Sequence, residues 1–592
     1  MNKSYRSLWN ERLGAWVAVA EFTSARGKRS GSSVAAAPGS TAALQPPGRL
    51  RAGVMTALVA MGGMAWSSFA QAQTVNCNAA PYNFYNGSVS CMGFLATATG
   101  PGATALGYNA RADLDGGLAV GFNAHSAAQN AISIGANSVA TTQYSVAIGL
   151  NAQAFGAGGA MALGQGTVAS NINAVALGVQ AVATGAGDSA LGTFSSASGG
   201  NSTALGVSSL ASGGFAFAGG WSSQATGTRA VAIGNLARAT NDAAAAFGNG
   251  AVAQGNSSLA LGAQAAAFGD GTVSVGQGAG AGSTTANTGS IAVGVAAGSL
   301  VSGAQNTAMG GGIPSAMRGA GSGVTGTRNV AFGTGDGTVA YDANLDAAAG
   351  SLVSGNDNIA IGTNAGIGVA SNATTSIGLN ANASVGNAIA IGSKARASAL
   401  DTVAQGSSAN AGGQNAIAIG FQSIASQINS INLGARTAAK AGATAQGAIA
   451  VGTDVEASQD RAVAVGVATR AAGADALAFG TRANALSANA IAIGVNSNAS
   501  LGQTIAIGAG SIASGGTAGN QSVALGTGAQ AIANGAGGSP LALGSNARAI
   551  GTAGTPLPGF LAYTFFEAVA VGNNTQATGQ GSTVLGISSI AS

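Results

Sequence analysis

The sequence predicts an all-β fold: a solenoid of parallel coils, each about 14 residues long. Three observations predict it. A short segment alternating large apolar and small residues recurs along the chain, a glycine closes each copy, and the glycines fall at a nearly fixed spacing. The composition leaves little room for anything else. Gly supplies 99 of 592 residues, charged residues 6% and aromatics 5%, where an ordinary soluble domain carries about 25% charged residues. Collagen would need Gly at every third position. A chain that is 47% hydrophobic is no solvated disordered segment, and no apolar run after residue 72 approaches the ~18 residues of a membrane span.

The repeat is read most directly at Ser145–Gly149, Ser-Val-Ala-Ile-Gly. It returns as Ile389–Gly392, Ile417–Gly420, Ile491–Gly494 and Ile505–Gly508. With the closing Gly as marker, about 31 units lie between Gly107 and Gly586, and the period holds at 14 for eight consecutive steps from Gly164 to Gly276. A fixed short period means a solenoid. Alternation with period two is a strand signal, with Ile417 and Ile419 on one face and Ala416 and Ala418 on the other. Gly149, Gly392, Gly420, Gly494 and Gly508 then mark turns where positive φ is needed. A weaker strand richer in Ser, Thr, Asn and Gln follows, then a second turn. Fourteen residues at ~3.3 Å allow two strands of about five residues and two tight turns, a flattened two-sided roll.

Alanine suits a thin interior between two sheets. The Ile/Val/Leu row must then face outward, where it forms a stripe far larger than the few hundred Å² a monomer exposes. Ile148, Ile391, Ile417, Ile419, Ile491 and Ile493 therefore read as an intersubunit apolar ladder, closed by cyclic self-association. Sequence periodicity does not set the number of chains.

The basic residues are unevenly placed. Residues 1–72 hold eight basic and two acidic residues, so the remainder is net negative by two although the whole chain is +4. Nucleic-acid binding has no electrostatic footprint there. Arg49 and Arg51, the apolar stretch Ala52–Trp66 and the small-x-small end Ala70-Gln71-Ala72 read as a secretory signal cut between Ala72 and Gln73. Ahead of it, Met1–Asn10, Gly14–Glu21 and Arg26–Lys28, with both Trp9 and Trp16, resemble the extended signal peptide region of autotransporters. That resemblance implies type V secretion, entered through the Sec export machinery, with Ser30–Gly48 as a longer linker than is usual.

The unit Asn-Ala-Ile-Ala-Ile-Gly-x-x-Ser at Asn415–Ser423 and Asn489–Ser497 resembles the head repeat of the trimeric autotransporter adhesins, the Yersinia adhesin type. The resemblance runs from about residue 100 to 592. It implies a left-handed parallel β-roll that trimerises into an elongated head, displayed at the cell surface or outer membrane. It also implies a homotrimer that binds host surface, extracellular-matrix protein or itself. The expected organisation is residues 1–29 as extended signal peptide region, 30–72 as linker and signal peptide, 73–100 as an N-terminal cap, and 101–592 as head repeats. Neck, coiled-coil stalk and membrane anchor are not recognisable, since sustained heptads and terminal aromatic strands are missing from the sequence, and a truncated reading frame is the expectation.

Candidate sites are few. Cys77 and Cys91 precede the repeats in an exported chain, so a structural disulfide is expected. The period breaks near 311–358, with Asp336, Asp342, Asp346 and Asp357, and near 545–571, with Phe560, Tyr563, Phe565 and Phe566. Loops must leave the rod at both places, and the second, aromatic loop is the candidate ligand-binding segment. Phe215, Phe217 and Trp221 are expected to cluster between chains. His125 stands alone in a turn-like stretch, and Asp454, Glu456 and Asp460 beside Arg461 read as a solvated turn, short of the six or more oxygens of a calcium site. No catalytic, cofactor or metal residues are assigned. A polysaccharide-cleaving β-helix would need carboxylates along a groove, and an ice-binding solenoid regular Thr ranks. An adhesin head is the leading reading, and a surface rod without a ligand the alternative.

Overall fold

The computed structural model describes residues 5–10, 15–20, 89–313, 315–516, 521–534, 538–552, 567–579 and 581–592. It divides into two compact units, Met1–Gln71 and Ala72–Ser592. In the first, strands Tyr5–Asn10 and Ala15–Ala20 pair antiparallel, Tyr5 opposite Ala20 and Asn10 opposite Ala15. All regular structure among the described residues is strand.

The second unit is a stack of parallel coils. Its first strands, three residues each, form one continuous sheet from Ser90–Met92 to Thr583–Leu585. The second strands form two separate sheets, one of 13 strands from Thr97–Ala98 to Ala266–Ala267 and one of 14 from Asn382–Ala383 to Ile590–Ala591. The first coil thus begins at Ser90, inside the segment expected to be a cap, rather than near residue 101. Register is strict: Ile417 lies opposite Val403 on one side and Ile431 on the other.

One coil shows why the sequence folds this way. Ile417–Ile419 is the first strand and Ile424–Ala425 the second, both shorter than the five residues expected. The turns take up the difference, because each needs a left-handed residue, Gln422 at φ 53° and Asn429 at φ 57°. Polar residues, Asn above all, tolerate that region best. Even the turns are paired from coil to coil, since Gln422 N–H donates to Ser407 O at 2.8 Å and Asn429 N–H to Gln414 O at 2.9 Å. No backbone stretch is left without a ladder, which is what burial demands.

Four side chains per coil point inward: Ala416, Ala418, Ser423 and Ala425, all fully buried. Buried hydroxyls cap the turns, as when Ser497 Oγ donates to Gly494 O and Ser511 Oγ to Gly508 O, each at 2.9 Å. The marker glycines have two reasons to be glycine. Gly149, Gly392, Gly420, Gly494 and Gly508 all have φ between 128° and 137°. A Cβ on Gly420 would also stand 2.3 Å from Gly434 O of the next coil. The turn conformation and the stacking distance each exclude a side chain.

From Gly276 to Gly378 the coils are of a second kind. Here the second strand is replaced by alternating left-handed residues, Asn364, Gly366 and Gly368 in one coil and Ala296, Gly298 and Leu300 in another. The wider interior holds a column of valines, Val301, Val324, Val353 and Val369. Beside it runs a column of buried asparagines, Asn306, Asn329 and Asn358. Asn306 Oδ1 accepts from Asn329 N–H and Asn329 Oδ1 from Asn358 N–H, each at 2.9 Å. Asn306 Nδ2 donates to Gly303 O and Gly326 O. A void of about 20 Å³ remains among these side chains, room for about one water.

Candidate interaction surfaces

The first sheet carries two outward residues per coil. Ile417, Ile419, Ile391, Ile491 and Ile493 are half-buried and Ile148 is 38% exposed, while the alanine between each pair is sealed inside. The rows persist through the wide coils as Val330 and Phe332, and Ile359 and Ile361. Alanine is thus inside and the branched residues are outside.

At the N-terminal coils a third row is aromatic. Phe94, Tyr108 and Phe122 each follow a marker glycine and stack in sequence, with ring centres 5.7 and 5.2 Å apart and planes 25° and 10° from parallel. Next to them run the left-handed asparagines. Asn109 Nδ2 donates to Asn123 Oδ1 at 3.0 Å, Asn123 to Asn137 at 3.1 Å and Asn137 to Asn151 at 3.2 Å. The reading of the sequence missed this strip, although Gly-Phe, Gly-Tyr and Gly-Phe at a 14-residue spacing signalled it.

The insertion expected over 311–358 is smaller than that. Asp357 and Asn358 belong to the coil, the first at a left-handed turn and the second in the buried column. Two excursions leave the stack and pair with each other. Ile313 N–H donates to Met317 O, Arg318 N–H to Asp346 O and Ala347 N–H to Val339 O. The Arg318 guanidinium lies 5.3 Å from the centre of the Tyr341 ring. Asp336 accepts from Thr338 and Asn364, hydrogen bonds that hold its carboxyl below the usual carboxylate range. These contacts make a small polar lobe on one edge of the rod.

Other expected groupings change. Phe215 sits at a left-handed turn, Phe217 opens the first strand and Trp221 follows the marker Gly220 at the opposite turn. His125 lies in a strand rather than a turn and its Nε2 is 2.7 Å from Asp113 Oδ2. The acidic group near 454–460 is dispersed by its own partners. Asp454 holds Thr437 and Ala438, Glu456 pairs with Arg470 at 3.0 Å, and Arg461 pairs with Asp475. Among the described residues no group of His, Cys, Asp and Glu could hold a metal ion. Cys91 lies in the first strand and is disulfide-bonded. Ala72, Gln73, Cys77, Phe560, Tyr563, Phe565 and Phe566 fall outside the described residues.

The fold and its surface define a class: an alanine-cored parallel solenoid whose outer rows are largely apolar, with Ser189, Thr203, Gly219 and Gln405 among the interruptions. Two family models agree with it. One, the extended signal peptide of the type V secretion system, matches residues 1–48. The other, the YadA head domain repeat, matches 98–124, 126–152, 156–178, 169–195, 197–223, 225–251 and 253–279, then 397–423, 411–437, 443–469, 457–483, 471–497, 485–511, 502–529 and 566–589. No curated protein matches the chain. The repeats cover more than half of it, and the chain belongs to the YadA-head family of trimeric autotransporter adhesins. It is an exported, surface-displayed adhesin-type autotransporter. The gap in the matches between 279 and 397 contains the wide coils.

Proposed function

We propose that this chain forms the head of a homotrimer that attaches cells to a host surface, to extracellular-matrix protein or to other copies of itself. The observation that carries the reading is the pair of apolar rows on the first sheet. Most coils place two apolar side chains there, as at Ile417 and Ile419, and although Ser189, Thr203, Gly219 and Gln405 interrupt the rows the stripe far exceeds what a soluble monomer leaves in water. Closing three such faces on one another removes the stripe without starting a fibre. Ile148, Ile391, Ile417, Ile419, Ile491 and Ile493 would then lie in an intersubunit core. Attachment would be multivalent, with avidity exceeding any single contact.

In the same reading the signal peptide is removed between Ala72 and Gln73, and Cys91 is bridged to Cys77, the one other cysteine of the chain. The aromatic segment containing Phe560, Tyr563, Phe565 and Phe566 and the lobe around Arg318 and Tyr341 are candidate contacts for ligand. Sedimentation equilibrium on the exported chain tests the assembly: three times the chain mass is expected, and a folded monomer would sink the ladder assignment. Cell attachment by rods lacking residues 545–571 tests the aromatic segment. Attachment unchanged by that deletion favours a rod that binds elsewhere, and no attachment by the intact trimer favours a spacer.

A further inference from the structure

We propose that the N-terminal coils carry a binding strip for an uncharged, extended polysaccharide, formed by the rings of Phe94, Tyr108 and Phe122 and the amides of Asn109, Asn123 and Asn137. The proposal rests on the adhesive reading above and names a ligand class for one face of the head. The three rings are 66%, 46% and 52% exposed although they lie side by side. Stacking on each other fixes them without hiding them, so little side-chain freedom is left to lose on binding. Their planes run across the row, which turns ring edges outward as an apolar stripe.

The amide row supplies polar partners at the same spacing. Asn123 and Asn137 each spend one N–H and one carbonyl lone pair on their neighbours, and Asn109, at the start of the ladder, spends one N–H. A second N–H and a second lone pair remain, suited to hydroxyl groups that both donate and accept. The left-handed backbone at φ 52–55° holds these amides in place.

Two features select the ligand. The four rungs Met92–Leu95, Leu106–Asn109, Val120–Asn123 and Ile134–Asn137 contain no charged residue, so nothing there attracts a sulfated or sialylated chain. Register is the second. Rungs repeat at the strand spacing of ~4.8 Å, whereas an extended peptide presents like side chains every ~6.6 Å and falls out of step within a few residues. A pyranose in an extended glycan advances by about one strand spacing, so each sugar can meet one ring edge and one amide.

The exported full-length chain is titrated calorimetrically with cellohexaose and chitohexaose, and with heparin as the charged control. Binding of an uncharged hexaose is expected, weakened about tenfold or more in Phe94→Ser/Tyr108→Ser/Phe122→Ser. Asn123→Gly/Asn137→Gly keeps the turn conformation, guards against misfolding of the first variant, and is expected to weaken binding severalfold. Absence of hexaose binding, equal binding of heparin, or unchanged affinity in both variants overturns the proposal. So does a changed solution mass in the ring variant, which would make the strip a contact between chains. Cell attachment measured on the same variants separates the two readings: attachment without hexaose binding removes the glycan strip and leaves the adhesin, and the converse removes the adhesin.

Discussion

The regular coils around 378–434 and the wide coils from 276 to 378 solve one problem in two ways. Both must close a loop of chain while pairing every backbone group with the coil above and below. The regular coil uses two short strands and a dry interior of Ala and Ser so thin that no other packing is needed. The wide coil gives up its second strand for alternating left-handed residues, and the space is filled by valine on one side and a hydrogen-bonded asparagine column on the other. Coil length is therefore not fixed by the fold. The first sheet passes through both regions without a break, from Val273–Val275 to Ile291–Val293 and from Ile359–Ile361 to Thr375–Ile377. What the fold conserves is that sheet, and the far side adapts.

The sharpest way to break the comparison is at glycine. Gly420→Ala in a regular coil meets φ 129° and a carbonyl 2.3 Å from the new Cβ, and a loss of about 3 kcal/mol or more in denaturant unfolding is expected. Gly368→Ala in a wide coil has φ 69° and nothing within 4 Å, so only the left-handed penalty of about 1–2 kcal/mol should appear. Equal losses would mean that the close approach of the next coil at a marker glycine adds nothing to the cost of its conformation.

The interiors should differ in kind. Asn329→Ala removes a donor to Gly355 O and leaves Asn358 N–H without its acceptor, at an expected cost of about 2–3 kcal/mol. Ala418→Val overfills the regular interior and should cost about 1–3 kcal/mol. The wide coil already carries valine at 353 beside a void, so it has no such constraint.

Acid gives a smaller, local effect. The Thr437 hydroxyl, and the N–H groups of Thr437 and Ala438, hold the Asp454 carboxyl below the usual carboxylate range. A depressed folded-state value stabilises the loop fully above the unfolded value of about 4, and that contribution is lost as pH falls through the folded value. Amide exchange at Thr437 and Ala438 should accelerate there, and Asp454→Asn should remove the pH dependence. The smallest change is expected from Arg461→Ala, whose partner Asp475 is also solvent-facing; the denaturant midpoint should stay where it is.

Much of this fold was legible in the residues. Alternation at 417–419 with alanine between isoleucines could bury only the alanine face once the coil was known to be thin, and a 14-residue glycine spacing admits a stack. The second coil type was written as plainly, in Ala297-Gly298-Ser299-Leu300-Val301-Ser302-Gly303 and again in Ala349-Gly350-Ser351-Leu352-Val353-Ser354-Gly355, each followed three residues later by asparagine. The second of these copies lies inside the insertion expected over 311–358, because spacing alone does not say whether extra residues leave the coil or widen it. The aromatic strip is written in the sequence as an aromatic after three successive marker glycines, and it needs the 14-residue period to be read. Residues 14 apart become neighbours only through the stack, so Phe94 and Tyr108 look unrelated until the coil is closed. The same holds for Asn109, Asn123 and Asn137, whose amides meet only through the stack.

The pairing of each residue with the one a single coil earlier has a consequence for transport. A chain threaded through a membrane pore emerges a few residues at a time, and most folds must wait for distant segments before any contact forms. Here a newly emerged strand such as Ile431–Leu433 can complete one edge of its hydrogen bonds as soon as an adjacent strand, Ile417–Ile419 or Ile449–Val451, is outside. Each coil that docks resists retraction into the pore, so growth of the stack can itself bias diffusion outward. Assembly can therefore run coil by coil along the chain, and a rod built this way can lengthen by duplication of a coil without altering the contacts of the others.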